Sequence, residues 1–425
     1  MEYKIYSFNN YRIHTIKTDK FKNCSMEVMF TKKLQKEEIT INNVLTDILV
    51  ASTKNYKSRR DIAIEFENLY NSYTRGLVTR LGNYLITSFV TDFLDPKYCD
   101  EDYLDELFKF SFGFLTEPNI ENGEFDKRSF TIVTNRLKAE IQSVKENATK
   151  YAFKRALNNM DENSPSSYYM TGYLEDLEDI TTSNLVDYYN KFFKECICDI
   201  YVIGNLDMDE IVSYIKKYFN VKTKKNGKKT LFVENVLRTD KLDILETGKY
   251  EQATFIMLYN LVDLSKRERD IVIHLFNFIF GNGGLTSKLY RYLREENSLC
   301  YNTSSMYQKY DQLLMIYAGV DSESKDLCVE LVNKALKEMQ EGNFSLEDIE
   351  NAKKNLISSI KMSQDTLGGI VNNYLFNDLD NLPLYEERIK EFKKVTKEEI
   401  VALAKKIKLN LTYLLAEEEV QDGRN

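Results

Sequence analysis

The strongest constraint on the fold of this chain is an arrangement that occurs twice. A threonine opens a helical period, and the helix runs directly into a strand. Thr181 to Phe193 leads into the apolar run Cys196 to Ile203, and Thr396-Lys-Glu-Glu399, which has the form of a capping box, opens the helix that leads into Leu409 to Leu415. Around these landmarks short alternating runs and longer helical periods trade places along the whole chain, which predicts an α+β layer structure. The spacing is too long for a solenoid. It predicts two similar tandem domains, each a mainly antiparallel sheet packed by helices, and 425 residues suit two cores better than one.

Between the two occurrences, Val221-Lys-Thr-Lys-Lys-Asn-Gly-Lys-Lys229 carries charge and a glycine but no apolar period, which marks a boundary. The expectation is a first domain over residues 1–221, a linker over 222–245 and a second domain over 246–425. In the first, Arg12 to Phe30 reads as a hairpin, with Met26, Val28 and Phe30 alternating. Helices follow over Asn42 to Ala51 and Lys57 to Leu69, strands over Leu77 to Phe93, a helix over Tyr103 to Leu115, and one long charged helical stretch from Phe125 to Leu157. In the second, Thr254 to Leu261, Leu299 to Tyr307 and Leu313 to Val320 read as strands. Lys266 to Phe280, Leu285 to Glu296 and Asp326 to Glu341 read as helices, and Ser345-Leu-Glu-Asp348 caps another.

Charge and composition exclude several classes of function. A net charge of −8 with only short basic runs argues against a general nucleic-acid binder. No stretch approaches the ~18 apolar residues that span a bilayer, and the start Met-Glu-Tyr-Lys-Ile-Tyr has none of the marks of a secretory signal, so a cytoplasmic protein with no membrane partner is expected. The six scattered cysteines fit reduced thiols. Cys196-Ile-Cys198 shares a strand face, yet without a second Cys or His pair nearby it reads as sheet packing. His14 and His274 are the only histidines, and they lie in different halves.

The order of motifs resembles the pitrilysin-type (insulinase-like) zinc metallopeptidases over nearly the whole chain. Val44-Leu-Thr-Asp-Ile-Leu49 with Ser52 to Ser58 and Ile62-Ala63 resembles the metal-site helix of that family and its next loop and helix. Gly172-Tyr-Leu-Glu175, Ile180-Thr181, Tyr188-Tyr189 through Phe193, and Val202-Ile-Gly-Asn205 resemble its later motifs. The resemblance implies a processing-peptidase-like, LuxS-like metallopeptidase fold. In active members H-x-x-E-H puts two zinc-binding imidazoles and a basic carboxylate on one helical face. Here the matching positions are Asn43, Thr46 and Asp47, and Glu140 in Leu137-Lys-Ala-Glu-Ile141 matches the third ligand. An amide is a poor zinc ligand and a hydroxyl is no base near neutral pH, so the resemblance implies a degenerate metal site with no zinc in this chain. Asp47 and Glu140 remain as carboxylates able in principle to hold a hard cation, although polar residues on a half-exposed helix is the plainer reading.

In the second half, Phe280-Gly-Asn-Gly-Gly284 and the following helix resemble the glycine-rich segment of the family, and Arg294 and Tyr301 match its substrate-binding pair. In catalytic assemblies of this type the guanidinium holds the substrate backbone and the phenol stabilises the developing oxyanion. Gly281, Gly283 and Gly284 are expected to let the backbone approach a peptide. By spacing alone, Arg294 is a solvated helix face and Tyr301 a packing residue, and the glycines lack the Lys-Ser/Thr of a phosphate loop. The resemblance therefore implies a non-catalytic subunit, like the alpha-type partner of mitochondrial processing peptidase. Such a subunit binds extended or unfolded peptide for a zinc-bearing homologous subunit of a heterodimer. A peptide-binding or scaffolding protein with no proteolytic role is the alternative.

Overall fold

The apolar run at 197–204 needs neighbours on both sides, and that need organises the first sheet. The computed structural model describes residues 1–225, 227 and 229–418. The chain falls into two units, residues 1–143 with 169–231, and residues 144–168 with the chain from 232 onward. Unit one holds β1 (Glu2–Ser7), β2 (Tyr11–Lys17), β3 (Asn23–Lys33), β4 (Tyr73–Leu81), β5 (Tyr84–Leu94) and β6 (Ile197–Gly204), in the order β1-β2-β6-β3-β5-β4. Every residue of β6 is buried, and it runs parallel to β2 and antiparallel to β3. The hairpin expected over Arg12 to Phe30 therefore does not form. A strand apolar on both faces takes the central place between the two arms that the local alternation would have paired.

Helices α1 (Ile39–Leu49), α2 (Arg59–Asn68), α3 (Leu104–Thr116) and α4 (Lys127–Ser143) belong to unit one. Ser58 and Asp61 form a capping box at the start of α2. The single helix expected from Phe125 to Leu157 is broken after Ser143 by a 3₁₀ turn, and Asn147 caps the next helix, α5 (Ala148–Met160), by accepting from the Lys150 N–H at 2.9 Å. That cap is the physical reason for the break. Although it lies within the expected first domain, α5 belongs to unit two. Ala152, Ala156 and Met160 are buried in one cluster with Ile256, Leu258, Leu411 and Tyr413, and the Arg155 guanidinium holds the Glu246 carboxylate through Nε at 2.9 Å to each oxygen. The chain returns to unit one through α6 (Thr182–Glu195), opened by a Thr181–Asn184 capping box, then β6 and α7 (Met208–Tyr218).

Unit two carries β7 (Leu242–Gly248), β8 (Ala253–Leu261), β9 (Cys300–Gln308), β10 (Leu313–Val320) and β11 (Ile407–Glu417), in the order β9-β10-β8-β11-β7. Its first strand starts at Leu242, inside the stretch expected to be linker. Its helical segments are α8 (268–282), α9 (288–295), α10 (Lys325–Glu341), α11 (Leu346–Ser363), α12 (Leu367–Asp380), α13 (Tyr385–Lys394) and α14 (Lys397–Ala404). The Ser345–Asp348 and Thr396–Glu399 capping boxes both form. The two sheets share one topology. β11, like β6, follows a capped helix, pairs antiparallel with a long strand (β8, as β6 does with β3) and pairs parallel with a shorter one (β7, as β6 does with β2). In both, the row then continues through an antiparallel hairpin, β5-β4 or β10-β9. The α+β fold built from two similar, mainly antiparallel units is thus observed.

Candidate functional site

In unit one, α1 carries Asn43, Thr46 and Asp47, the residues expected from the resemblance to match a metal-site triplet. Each is committed elsewhere. Asn43 Nδ2 donates to the Ile39 and Met170 carbonyls, both at 2.9 Å. Thr46 is buried, and its hydroxyl donates to the Asn42 carbonyl at 2.7 Å. A Cβ at Gly76 would lie 2.5 Å from Thr46 Cγ2 and 3.0 Å from its carbonyl oxygen, so β4 runs against α1 here and leaves no room for a longer side chain at 46.

Asp47 is paired with the Arg136 guanidinium at 2.5 Å, and Arg136 Nε reaches Glu140 at 3.6 Å on α4. The structure thus brings Asp47 and Glu140 together, but around an arginine. The cation between the carboxylates is a guanidinium supplied by the chain itself. Zinc does not fit this donor set, since the two carboxylates share a guanidinium and no imidazole is present. Among the described residues, no group of three His, Cys, Asp or Glu side chains is placed to hold a metal ion. Arg136 is not among the residues expected from the sequence: it stands four residues before Glu140 on one helical face, and that i,i+4 spacing by itself marks only a solvated pair.

The motif stretch 172–205 packs around α1. Gly172, at φ +94, lies against Thr40, where a Cβ would come within 2.7 Å of Thr40 Oγ1. The Thr40 hydroxyl accepts from the Tyr173 N–H at 3.0 Å and donates to Asp176 at 2.9 Å. Tyr188 donates to Asn42 Oδ1 at 3.3 Å, and Asn42 donates to Thr87 at 2.9 Å. These glycine, tyrosine and acidic positions therefore hold the helix rather than a ligand. His14 also has a structural place. It is fully buried, stacks on Tyr201 with centroids 4.2 Å apart, and sits 3.4 Å from Asp199. Burial acts to raise the Asp199 carboxyl, but the His14 hydrogen bond and the charges of Lys229 and Arg12 hold it well below the usual carboxylate range.

In unit two, Arg294 and Tyr301 do meet. Arg294 lies in the π-helical turn Arg291–Glu295, in which the Glu296 N–H donates to the Arg291 carbonyl five residues back at 2.9 Å. The half-buried guanidinium sits over the rings of Tyr290 (5.3 Å) and Tyr301 (4.4 Å) and donates to the Tyr301 carbonyl at 2.5 Å. No acidic side chain among the described residues pairs with it. Tyr301 is 79% exposed and is the second residue of the edge strand β9, where the register with β10 shifts between Cys300 and Thr303. Burial pushes the neighbouring Cys300 thiol up to about 11, partly offset by Arg294, so it is no nucleophile.

The three glycines stand in different surroundings. Gly281 is buried, and a Cβ there would meet Ser305 Oγ at 2.5 Å and Leu289 Cδ1 at 2.6 Å. At Gly283 the Cβ would meet the Phe278 carbonyl at 2.6 Å. Gly281 thus packs onto the unit's own core, whereas Gly283 closes the end of its helical segment onto Phe278 five residues back. Gly284, at φ +58, is the one that faces open space.

A duplicated α+β architecture, with an internal ion network on α1 and α4 and an aromatic-flanked arginine beside a sheet edge, is the fold of the two-domain metallopeptidase-like proteins. Residues 179–356 match the family model described as Peptidase M16 inactive domain. The chain is 25% identical over 411 residues, 95% of each chain, to a Bacillus subtilis (strain 168) protein named Probable inactive metalloprotease YmfF. It is 23% identical over 249 residues, 58% of this chain and 59% of the other, to Uncharacterized zinc protease YmxG of the same organism. Its fold superposes on the crystal structure of a conserved protein from Enterococcus faecalis V583 with a TM-score of 0.92 at 24% identity, covering 99% and 100% of the two chains. A peptidase M16 inactive domain from Pseudomonas fluorescens gives a TM-score of 0.79 at 16% identity over 100% of both. The chain is thus similar, in residues 179–356 and in its fold, to inactive domains of the pitrilysin-type, or M16, peptidases.

Proposed function

We propose that this chain is the non-catalytic subunit of a two-chain zinc metallopeptidase, and that it binds and positions extended peptide for a zinc-bearing homologous partner. The observation that carries this reading is the asymmetry between the halves. The metal position is closed by Arg136, whereas Arg294 is held between two tyrosine rings, has no carboxylate partner among the described residues, and lies beside an exposed phenol at a sheet edge. A guanidinium so placed can donate to a peptide carbonyl, and β9 has a strand on one side only, so main-chain pairing at that edge would accept many sequences. The similar proteins of Bacillus subtilis include one named as an inactive metalloprotease and one named as a zinc protease, which accords with a pairing of the two kinds. Six unpaired cysteines accord with a cytoplasmic setting.

The test is to purify the chain with a zinc-bearing relative from the same genome and to follow cleavage of unfolded peptides. Association and zinc-dependent cleavage are expected, with Tyr301→Phe lowering kcat about 10²-fold by loss of one oxyanion donor and Arg294→Ala weakening peptide binding. A mixture that neither associates nor cleaves refutes the pairing. If the chain binds peptide but Arg294→Ala and Tyr301→Phe change nothing, the scaffolding reading replaces it.

A further inference from the structure

Unit two contains a cavity that the peptide-handling reading does not use. It has a volume of about 420 Å³, the size of a small-molecule site, and opens between α8, α11, α12 and α13. Its wall is mostly apolar, built from Leu356, Ile360, Phe376, Leu382 and Phe392. Its polar groups come from Asp270, His274, Lys309, Tyr310 and Arg388.

The charges in this wall are not balanced. Lys309 pairs with Asp270 at 2.6 Å and Asp380 at 2.5 Å, and Lys266 also pairs with Asp270. Those two lysines neutralise those two aspartates. Arg388 is left over. Its Nη2 donates to Asn373 Oδ1 at 3.0 Å and its guanidinium lies 5.4 Å from the Tyr385 ring centroid, but it has no carboxylate partner among the described residues, and its buried Nε has no acceptor. The buried Tyr310 hydroxyl is also without a partner. A half-buried guanidinium with an empty N–H is costly unless an anion completes it.

We propose that this cavity binds a monocarboxylate carrying an apolar group, with the carboxylate on Arg388 and the apolar part along Ile360, Phe376 and Phe392. One surplus positive charge matches a single negative one, and a planar guanidinium fork matches a carboxylate. The apolar wall rejects a polyanion such as a phosphate, whose second charge would find no cation. His274 supports the arrangement. Burial lowers its pKa to about 4, with the charges of Lys309 and Arg388 acting in the same direction and Asp270 against them. Tyr307 and Phe392 face its ring edge-on at 5.7 and 6.1 Å. A neutral imidazole there registers the arrival of an anion.

The probe is octanoate, measured by calorimetry on the full chain against octanol and acetate. Octanoate is expected to bind one to one with a submillimolar to millimolar Kd, as about ten non-hydrogen atoms allow, and octanol and acetate about tenfold or more weaker because each lacks half of the match. Arg388→Gln is expected to abolish the preference for octanoate over octanol, and Arg388→Lys to retain part of it. With histidine-labelled protein, octanoate is expected to move the His274 resonance and its titration midpoint upward while leaving His14 unmoved. A peptide ending in leucine, compared with its amide, distinguishes a chain terminus from a free acid as the source of the carboxylate. Equal binding of octanoate and octanol, unchanged preference in a folded Arg388→Gln, or no binding of either acid overturns the proposal.

Discussion

Replacing Arg136 with methionine tests whether its guanidinium holds Asp47 and Glu140 together in unit one. Methionine keeps most of the apolar stem and removes only the charge. Asp47 is 22% exposed, Arg136 43% and Glu140 53%, with separations of 2.5 and 3.6 Å. Unit charges about 4 Å apart attract by about 1 kcal/mol in a water-like medium and about 4 kcal/mol at an effective dielectric of about 20. These exposures place the trio nearer the first limit, and ordering of the side chains offsets part of the gain, so a coupling of about 1 kcal/mol is expected. The measurement is a double-mutant cycle of Arg136→Met with Asp47→Asn, read by urea unfolding in low salt and again near about 1 M salt, where screening should remove much of the coupling. Titration of Arg136→Met with zinc and magnesium belongs to the same experiment, because the variant leaves two carboxylates without a cation. A coupling below about 0.3 kcal/mol at both salt concentrations would refute the claim that Arg136 neutralises the pair.

The glycine assignments predict that Gly281→Ala destabilises unit two by about 1–3 kcal/mol through overpacking against Ser305 and Leu289. Gly284→Ala should cost only about 1 kcal/mol, from its left-handed backbone, and denaturant unfolding of the two variants checks the ranking. His274 has a folded pKa lowered to about 4, so the unfolded chain, with its histidine near about 6.5, takes up the proton first as pH falls. Its contribution is therefore present above pH ~6.5 and is lost between ~6.5 and ~4, by ~1–3 kcal/mol, and His274→Leu should flatten stability over that window. If wild type and variant lose stability in parallel there, the assignment is wrong. Asp199→Ala should cost about 3–5 kcal/mol, because it strands Arg12, His14 and Lys229 beside a buried strand. A loss below about 1 kcal/mol in thermal or urea unfolding would show that the Arg12 and Lys229 cations are solvated after all.

Much of the site could be read from residue types at fixed spacing. The resemblance sets Asn43, Thr46 and Asp47 against two imidazoles and a base, and no later folding can turn an amide into an imidazole. Arg294 and Tyr301 are marked by a separation of seven, and the π turn and the start of β9 do bring them into contact. Glu140 does come near Asp47, but the arginine between them is not legible in the sequence, because an i,i+4 pair on a charged helix usually means only a solvated face. The cavity at Arg388 has no signal at all in the sequence. Its walls come from helices spread over more than a hundred residues, and two of those, α12 and α13, have no distinct period of their own in the sequence reading.

Residue order alone is enough for the α+β class, the duplication and the want of any histidine pair at metal-ligand spacing. These depend on local period, on capping pairs such as Thr396 with Glu399, and on which side chains exist at all. Three features came only with tertiary packing: β6 separates β2 from β3, α5 leaves its sequence neighbours to pack with β8 and β11, and Arg136 occupies the space between two carboxylates. Each of these is a competition between partners distant in sequence. Its outcome depends on which apolar face or buried charge gains more from the contact, and local sequence does not record that comparison.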